Sequence, residues 1–310
     1  MKNTELTMKK AVHVYQRSAD WGVIFYTIQD LLVYFTIFCV FARRYGVQVL
    51  GLALMYNHLH QLLSASSRKD IEAFVAVISA LFARYFNIDV EREGAVFHKA
   101  FGSAVVYGDK NIRTIAGYLY NNHTNKKLSD KAEEVRWNFL AYAHNDHPFS
   151  EPIILNKASK RLRKALKMVD SFRAREQYLG YGAINTIFSK LNPTEKEQII
   201  DYIISKYNCI DYEALKGLYR SFDEMIYSFN ANTFNEYEIK EGREEKYGDD
   251  RVYKTLAFTI MTTGKYKRLK DILVLPDDEK NKLAIELQAA TGIPISKIAA
   301  YLHLEIRSGA

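Results

Sequence analysis

The chain has 310 residues, 48% hydrophobic and 25% charged, so it can bury one large core or two ordinary ones, and a disordered or fibrous chain is excluded. The net charge of +7 favours a polyanionic partner without choosing between nucleic acid and a membrane surface. The two cysteines, Cys39 and Cys209, exclude a disulfide framework and a CxxC metal site. A reducing, cytoplasmic location is the one we expect.

The longest apolar run, "LLVYFTIFCVFA", is too short for a membrane span. It covers residues 31–42 and follows the polar pair Gln29 and Asp30. Twelve helical residues cannot cross roughly 30 Å of hydrocarbon. The run therefore predicts a buried helix that begins near Asp30 and ends at Arg43 and Arg44. We expect neither a membrane span nor a signal peptide.

The first 150 residues alternate strand and helix patterns. The patterns predict, in order, a strand at 11–18, a helix at 30–44, two adjacent strands within 47–65, a helix at 67–86, a strand at 100–108 and a helix capped by Asp109 that runs to about 123. This order predicts an α+β fold with a ferredoxin-like antiparallel sheet and helices on one face.

A composition change near residue 150 divides the chain into a domain at 1–150 and an all-helical C-terminal domain at 151–310. Helices are predicted at 156–170, 172–190, 194–207, 211–228, 251–263 and 277–290, with a charged, mobile connection at 238–250. The tail from Thr291 is compatible with the first helix of a helix-turn-helix unit or with a simple helical hairpin.

Two histidines stand one residue apart in "ALMYNHLHQLL". Residues i and i+2 of a strand point the same way, so His58 and His60 project from one face about 6.5–7 Å apart. Imidazoles at that spacing can converge on one divalent ion. Two core histidines with satisfied hydrogen bonds would look the same, so the pair alone decides nothing.

Longer motifs around the pair resemble those of a known family. "LMYNHLHQLL" resembles the signature of the HUH single-tyrosine transposases, most closely the REP-associated tyrosine transposases (IS200-like). A second block, "GYLYNNHTNKKL" at 117–128, matches the family's helical motif at Tyr118, Leu119 and Asn122. "VFHKAF" at 96–101 and "HVYQR" at 13–17 are similar to two further family segments. The resemblance covers about residues 10–145.

The chain departs from the family pattern at two positions. Tyr56 and His123 each stand where the family carries proline. Neither proline has a chemical role in the family, so the changes affect turn geometry more than reactivity. Tyr120 lies close to the matched tyrosine, which leaves Tyr118 and Tyr120 as alternative nucleophiles.

The resemblance implies a metal-dependent endonuclease and transposase that cleaves and rejoins single-stranded DNA. His58, His60 and Asn122 would hold Mg²⁺ or Mn²⁺, and Tyr118 would form a 5′-phosphotyrosine. Hairpin-forming single-stranded DNA is the expected partner, in a homodimer away from membranes. An idle or domesticated hairpin-binding protein, or a hydrolytic metalloenzyme without a covalent step, are the alternatives. Basic residues expected to contact the DNA backbone are Arg17, Arg113, Lys160, Arg161, Arg163, Lys164 and Lys167.

Overall fold

A four-stranded antiparallel sheet forms the N-terminal half of the chain. The computed structural model describes residues 10–20, 22–98, 101–231 and 250–304. Their first elements are β1 (Lys10–Arg17), α1 (Ile28–Arg44), β2 (Gln48–Leu54), β3 (His58–Ser64), α2 (Arg68–Val90), β4 (Gly102–Tyr107) and α3 (Asp109–Asn125). The strand order is β2-β3-β1-β4, and all neighbours are antiparallel. The predicted ferredoxin-like fold is confirmed.

The two faces of the sheet are covered by different helices, because successive strand residues point to opposite sides. Val12 and Leu59 belong to the core shared with α1 and α2. Leu62 and Ala11 belong to a second core formed with α3. The helices α1 and α2 therefore lie on one face, as predicted, and α3 covers the other face.

Two helix starts differ from their predicted positions. Thr27, not Asp30, caps α1, and Asp30 occupies the third helical position, where its side chain returns a bond to the Thr27 backbone. Gly108, not Asp109, caps α3 and does so without a side-chain bond. Gly108 has φ 77°, a left-handed conformation that glycine adopts without steric cost. Asp109 becomes the first residue of α3, where its charge favours the helix N-terminus.

Among the described residues after 150 there are eight further α-helices, and the predicted helical character of this half is confirmed. They are α4 (Lys160–Ala174), α5 (Tyr181–Phe188), α6 (Pro193–Tyr207), α7 (Tyr212–Lys216), α8 (Phe222–Ala231), α9 (Arg251–Thr262), α10 (Asp277–Thr291) and α11 (Ile295–Leu302). The single helix predicted at 211–228 is wrong, since α7 ends at its C-cap Gly217 before α8 begins. Of the predicted connection at 238–250, residues 238–249 lie outside the described residues.

The C-terminal helices pack against the N-terminal half. The helices α5 and α6 contact α1, and α4 packs on both of them. The amine of Lys270 lies 2.7 Å from Asp30 Oδ1 and 2.6 Å from Asp89 Oδ2, which links the segment before α10 to α1 and α2. The helices α10 and α11 pack together as a hairpin. The domain boundary near residue 150 stays a prediction.

One helix among the described residues, α2, is long and apolar enough to cross a membrane by length and composition, with a mean hydropathy of 1.5. Its apolar stripe includes Ile71, Phe74, Val75, Ile78 and Phe82, all buried in the main core. The core helix of a globular protein passes the same test of length and composition. The helix α2 therefore does not contradict the prediction that the chain has no membrane span.

Candidate active site

Three histidines meet on the face of the sheet that α3 covers. His58 and His60 come from β3, with ring centroids 5.1 Å apart, and His13 comes from the neighbouring β1. The Nε2 atom of His13 lies 3.1 Å from Nδ1 of His60, and the two rings stack at 5.3 Å. The antiparallel register of β1 and β3 creates this contact, since residues 47 apart in sequence become neighbours.

Burial favours the neutral form of the His60 and His13 imidazoles. Burial, and then the charges of His58 and His13, lower the pKa of His60 well below its ordinary value. Burial also lowers the pKa of His13 to about 4. A neutral imidazole has a lone pair on one ring nitrogen, which is the form that binds metal ions.

The helix α3 brings a tyrosine and an amide to the histidines. Tyr118 and Asn122 lie one turn apart and share a helix face. The Tyr118 ring stands edge-on to His60 at 5.4 Å and to His13 at 6.1 Å between centroids. The Asn122 amide nitrogen lies 3.1 Å from Nε2 of His60. The structure thus brings all four predicted site residues together.

Tyr120 points away from this cluster. Its side chain is fully buried, and its hydroxyl donates to the Leu50 carbonyl at 3.0 Å. The ring stacks on Phe229 of α8 at 4.8 Å. Burial raises the pKa of the Tyr120 hydroxyl well above its ordinary value. Tyr120 is therefore a core residue of the second hydrophobic cluster.

The donor atoms of the cluster fit a divalent ion. The Asn57 Oδ1 atom can only accept, so His58 Nδ1 carries the proton of their 2.7 Å contact and His58 Nε2 carries a lone pair. The Asn122 amide nitrogen donates to His60 Nε2, so that atom also carries a lone pair, and His60 Nδ1 donates to His13 Nε2. Asn122 Oδ1 is buried without a hydrogen-bond partner. Two imidazole nitrogens and an amide oxygen are donor types that bind divalent ions.

The set contains only two histidines and no acidic ligand. Across the described residues, no group of three or more histidine, cysteine, aspartate or glutamate side chains is arranged to hold a metal. Any ion here would depend on the Asn122 amide as well as on the imidazoles, and would keep several waters among its ligands.

The predicted DNA-contacting residues are spread over separate surfaces. Arg17 lies at the end of β1, paired in register with His58, and so lies close to the cluster. Arg113 instead donates to the Leu218 carbonyl at 3.2 Å and contacts the Tyr219 ring. The basic residues of α4 lie on a helix that packs on α5 and α6, on the α1 side of the sheet and away from the histidines. These residues are Lys160, Arg161, Arg163, Lys164 and Lys167.

Sequence reasoning missed two residues of this site, His13 and His123. His13 occurs in the quoted segment "HVYQR", but only the strand register shows that it bonds His60. His123 contacts the Leu54 carbonyl through Nε2 at 3.0 Å, and burial lowers its pKa to about 3. The alternation of side chains along β1 could have placed His13 on the same face of the sheet as the other histidines. No local pattern in the sequence indicates that His123 contacts β2.

Comparisons with known proteins agree with the motifs. The family model "Transposase IS200 like" matches residues 24–122, which include both motif blocks. A comparison with curated proteins found no match. A solved structure described as a REP-associated tyrosine transposase bound to a REP hairpin is 11% identical, with a TM-score of 0.36 over 46% of this chain and 82% of that one. Residues 24–122 of this chain are therefore similar to the IS200-like transposase family, in the segment that carries both motifs.

Proposed function

We propose that this protein cleaves and rejoins single-stranded DNA through a covalent 5′-phosphotyrosine on Tyr118. One observation carries the proposal: the Tyr118 ring and the Asn122 amide lie on one face of α3, against the imidazole of His60. The match of the IS200-like family model to this segment supports the same chemistry.

The cleavage step exchanges one phosphate ester for another. The Tyr118 oxygen bonds to phosphorus, the bond from phosphorus to the 3′-oxygen breaks, and that oxygen leaves as a hydroxyl with a proton replacing the one the phenol releases. Because the ester bond is conserved, a 3′-hydroxyl can attack the phosphotyrosine and rejoin strands without ATP. The core position of the Tyr120 hydroxyl favours Tyr118 as the nucleophile.

His58, His60 and Asn122 would hold the divalent ion, Mg²⁺ or Mn²⁺. When bound, the ion polarises the phosphate and stabilises charge on its oxygens. His13 and Asn57 keep the two ligand imidazoles oriented through their contacts with Nδ1. Arg17, beside His58 at the end of β1, would bind the DNA backbone.

The substrate we propose is a single strand beside a hairpin, bound by a homodimer in the cytoplasm. The family resemblance carries these three points, and the net charge of +7 agrees with a nucleic-acid partner. Sedimentation of the purified protein tests the homodimer. The basic face of α4 would contact DNA beyond the cleavage site.

Denaturing gels with labelled hairpin oligonucleotides from the DNA flanking the gene, in Mn²⁺, test the chemistry. A protein–DNA adduct with wild type that is absent with Tyr118→Phe and His58→Ala supports the proposal. An adduct that survives Tyr118→Phe overturns the assigned nucleophile. Hairpin binding without any adduct supports the second candidate, an idle binding protein. Cleavage to free ends that does not need Tyr118 would indicate a hydrolytic metalloenzyme.

A further inference from the structure

A cavity of about 560 Å³ opens beside the candidate active site. The turn between β2 and β3 lines it with Tyr56, two residues before His58. The helix α3 lines it with His123, the residue that follows Asn122. The volume lies within the range of roughly 300–1,000 Å³ that is typical of small-ligand sites. The cavity thus adjoins both motif segments.

The two departures from the family pattern line this one cavity. Tyr56 and His123 both stand where the family carries proline, and they are 67 positions apart in the printed sequence. Their proximity follows from the site itself, because Asn122 lies against His60 and each departure stands next to a motif residue. Both side chains that distinguish this chain from the family pattern therefore line the space that adjoins the two motifs.

The walls of the cavity are suited to stacking. Tyr56 packs against the Tyr253 ring at 5.1 Å between centroids, which limits its orientation. Flat aromatic walls hold unpaired nucleobases, because every base has a π-face to stack on. The aromatic side chains that line the cavity are Phe25, Tyr26, Tyr56, Trp137 and Phe149.

The charges around the cavity cancel. Arg136 and Lys254 contribute two positive charges, and Glu134 and Glu197 two negative ones. Arg136 is held by Glu197 at 2.7 Å, while its Nε is buried without a hydrogen-bond partner. A neutral, polar ring fits such a lining better than a phosphate group does. Carboxylates accept hydrogen bonds from exocyclic amino groups, which cytosine and adenine carry and thymine lacks.

We propose that this cavity binds one unpaired, amino-bearing nucleobase of the DNA strand, next to the phosphate that is cleaved. Its place next to the cleaved phosphate rests on the proposed function. The C-terminal half contributes Glu197 of α6 and Lys254 of α9 to the lining, so helices beyond the family segment help to select the substrate.

Tryptophan fluorescence reports on the cavity directly. The chain has two tryptophans, so Trp21→Phe leaves Trp137 in the cavity wall as the only one. Adding Tyr118→Phe prevents covalent trapping. The probes are tetramers of oligo(dC), oligo(dA) and oligo(dT), and a tetramer of abasic sites with the same number of phosphates.

Saturable quenching by oligo(dC) and oligo(dA), with oligo(dT) weaker and the abasic tetramer weaker by at least about five-fold, is the expected result. Tyr56→Ala should weaken the binding of oligo(dC) by a similar factor. Tyr227→Ala, the control at a tyrosine 74% exposed on α8, should leave that binding unchanged. Leu128→Phe, which narrows the cavity, is a second variant should Tyr56→Ala fold poorly.

Equal binding of the abasic tetramer, or no quenching by any tetramer, overturns the proposal and leaves the cavity to another class of ligand. If wild type forms the adduct but no tetramer quenches the fluorescence, the base site is refuted and the covalent chemistry of the proposed function stands. Quenching that meets these expectations in a protein that forms no adduct would refute the covalent chemistry and support the base site.

Discussion

Replacing Tyr120 by phenylalanine separates its structural role from the chemistry of Tyr118. The Tyr120 hydroxyl donates to the carbonyl of Leu50 at 3.0 Å, and both residues are fully buried. Leu50 lies at the irregularity in β2, between Val49 and Gly51, where the pairing with β3 shifts. Tyr120→Phe leaves that carbonyl without this donor while keeping the ring on Phe229.

An unsatisfied buried acceptor costs about 1–3 kcal/mol, so Tyr120→Phe should lower the free energy of unfolding by about that amount and the Tm by a few degrees. Urea denaturation and thermal melts measure the loss. Adduct yield at a temperature where the variant is folded should equal that of wild type, whereas Tyr118→Phe, the matched control, should give none. A stable Tyr120→Phe protein that forms no adduct would refute the reasoning.

The divalent ion, a buried ion pair and acid pH provide three further tests. EDTA should abolish adduct formation, and added Mn²⁺ should restore it in wild type but not in His60→Ala. A full yield of adduct in the presence of EDTA would contradict the assignment of the metal ligands. Lys270→Met should lower the free energy of unfolding, measured by urea denaturation, by about 3–5 kcal/mol, because it leaves the buried Asp30 carboxylate without its cation. Lys265→Met, at an exposed ion pair, should leave that free energy close to the wild-type value. Similar losses of unfolding free energy in Lys270→Met and Lys265→Met would contradict a special role for the buried ion pair. Partial burial raises the pKa of Asp20, but the hydrogen bond and charge of His303 lower it more, to about 2. The stability from Asp20 is therefore present above its unfolded pKa of 3.8 and is lost as pH falls toward 2, so Asp20→Asn should flatten the acid limb of the urea midpoint, and an unchanged limb would count against the pair.

Much of the fold could be predicted because its signals are local. The order of strand and helix patterns gave the ferredoxin-like topology, and the strand bounds differ from the predictions by a few residues. The helix caps were less accurate: Thr27 caps α1 through a side-chain hydrogen bond from the Asp30 backbone, whereas Gly108 caps α3 through its backbone conformation alone. The helix predicted at 211–228 was wrong, since the chain breaks after Gly217 into α7, which packs on β2, and α8, which packs on α3.

By itself, the sequence determined the motif residues, their spacing and the resemblance to the IS200-like transposases. His58 and His60 share a face because strands repeat every two residues, and Tyr118 and Asn122 because helices repeat every 3.6. Only the tertiary structure decided that α3 lies on the histidine face, that Tyr120 is bonded into the core and that His13 reaches His60. It also joined Tyr56 and His123 to one cavity lined in part by helices far along the chain. These contacts depend on strand register and packing between distant segments, and no periodicity in the sequence encodes either of them.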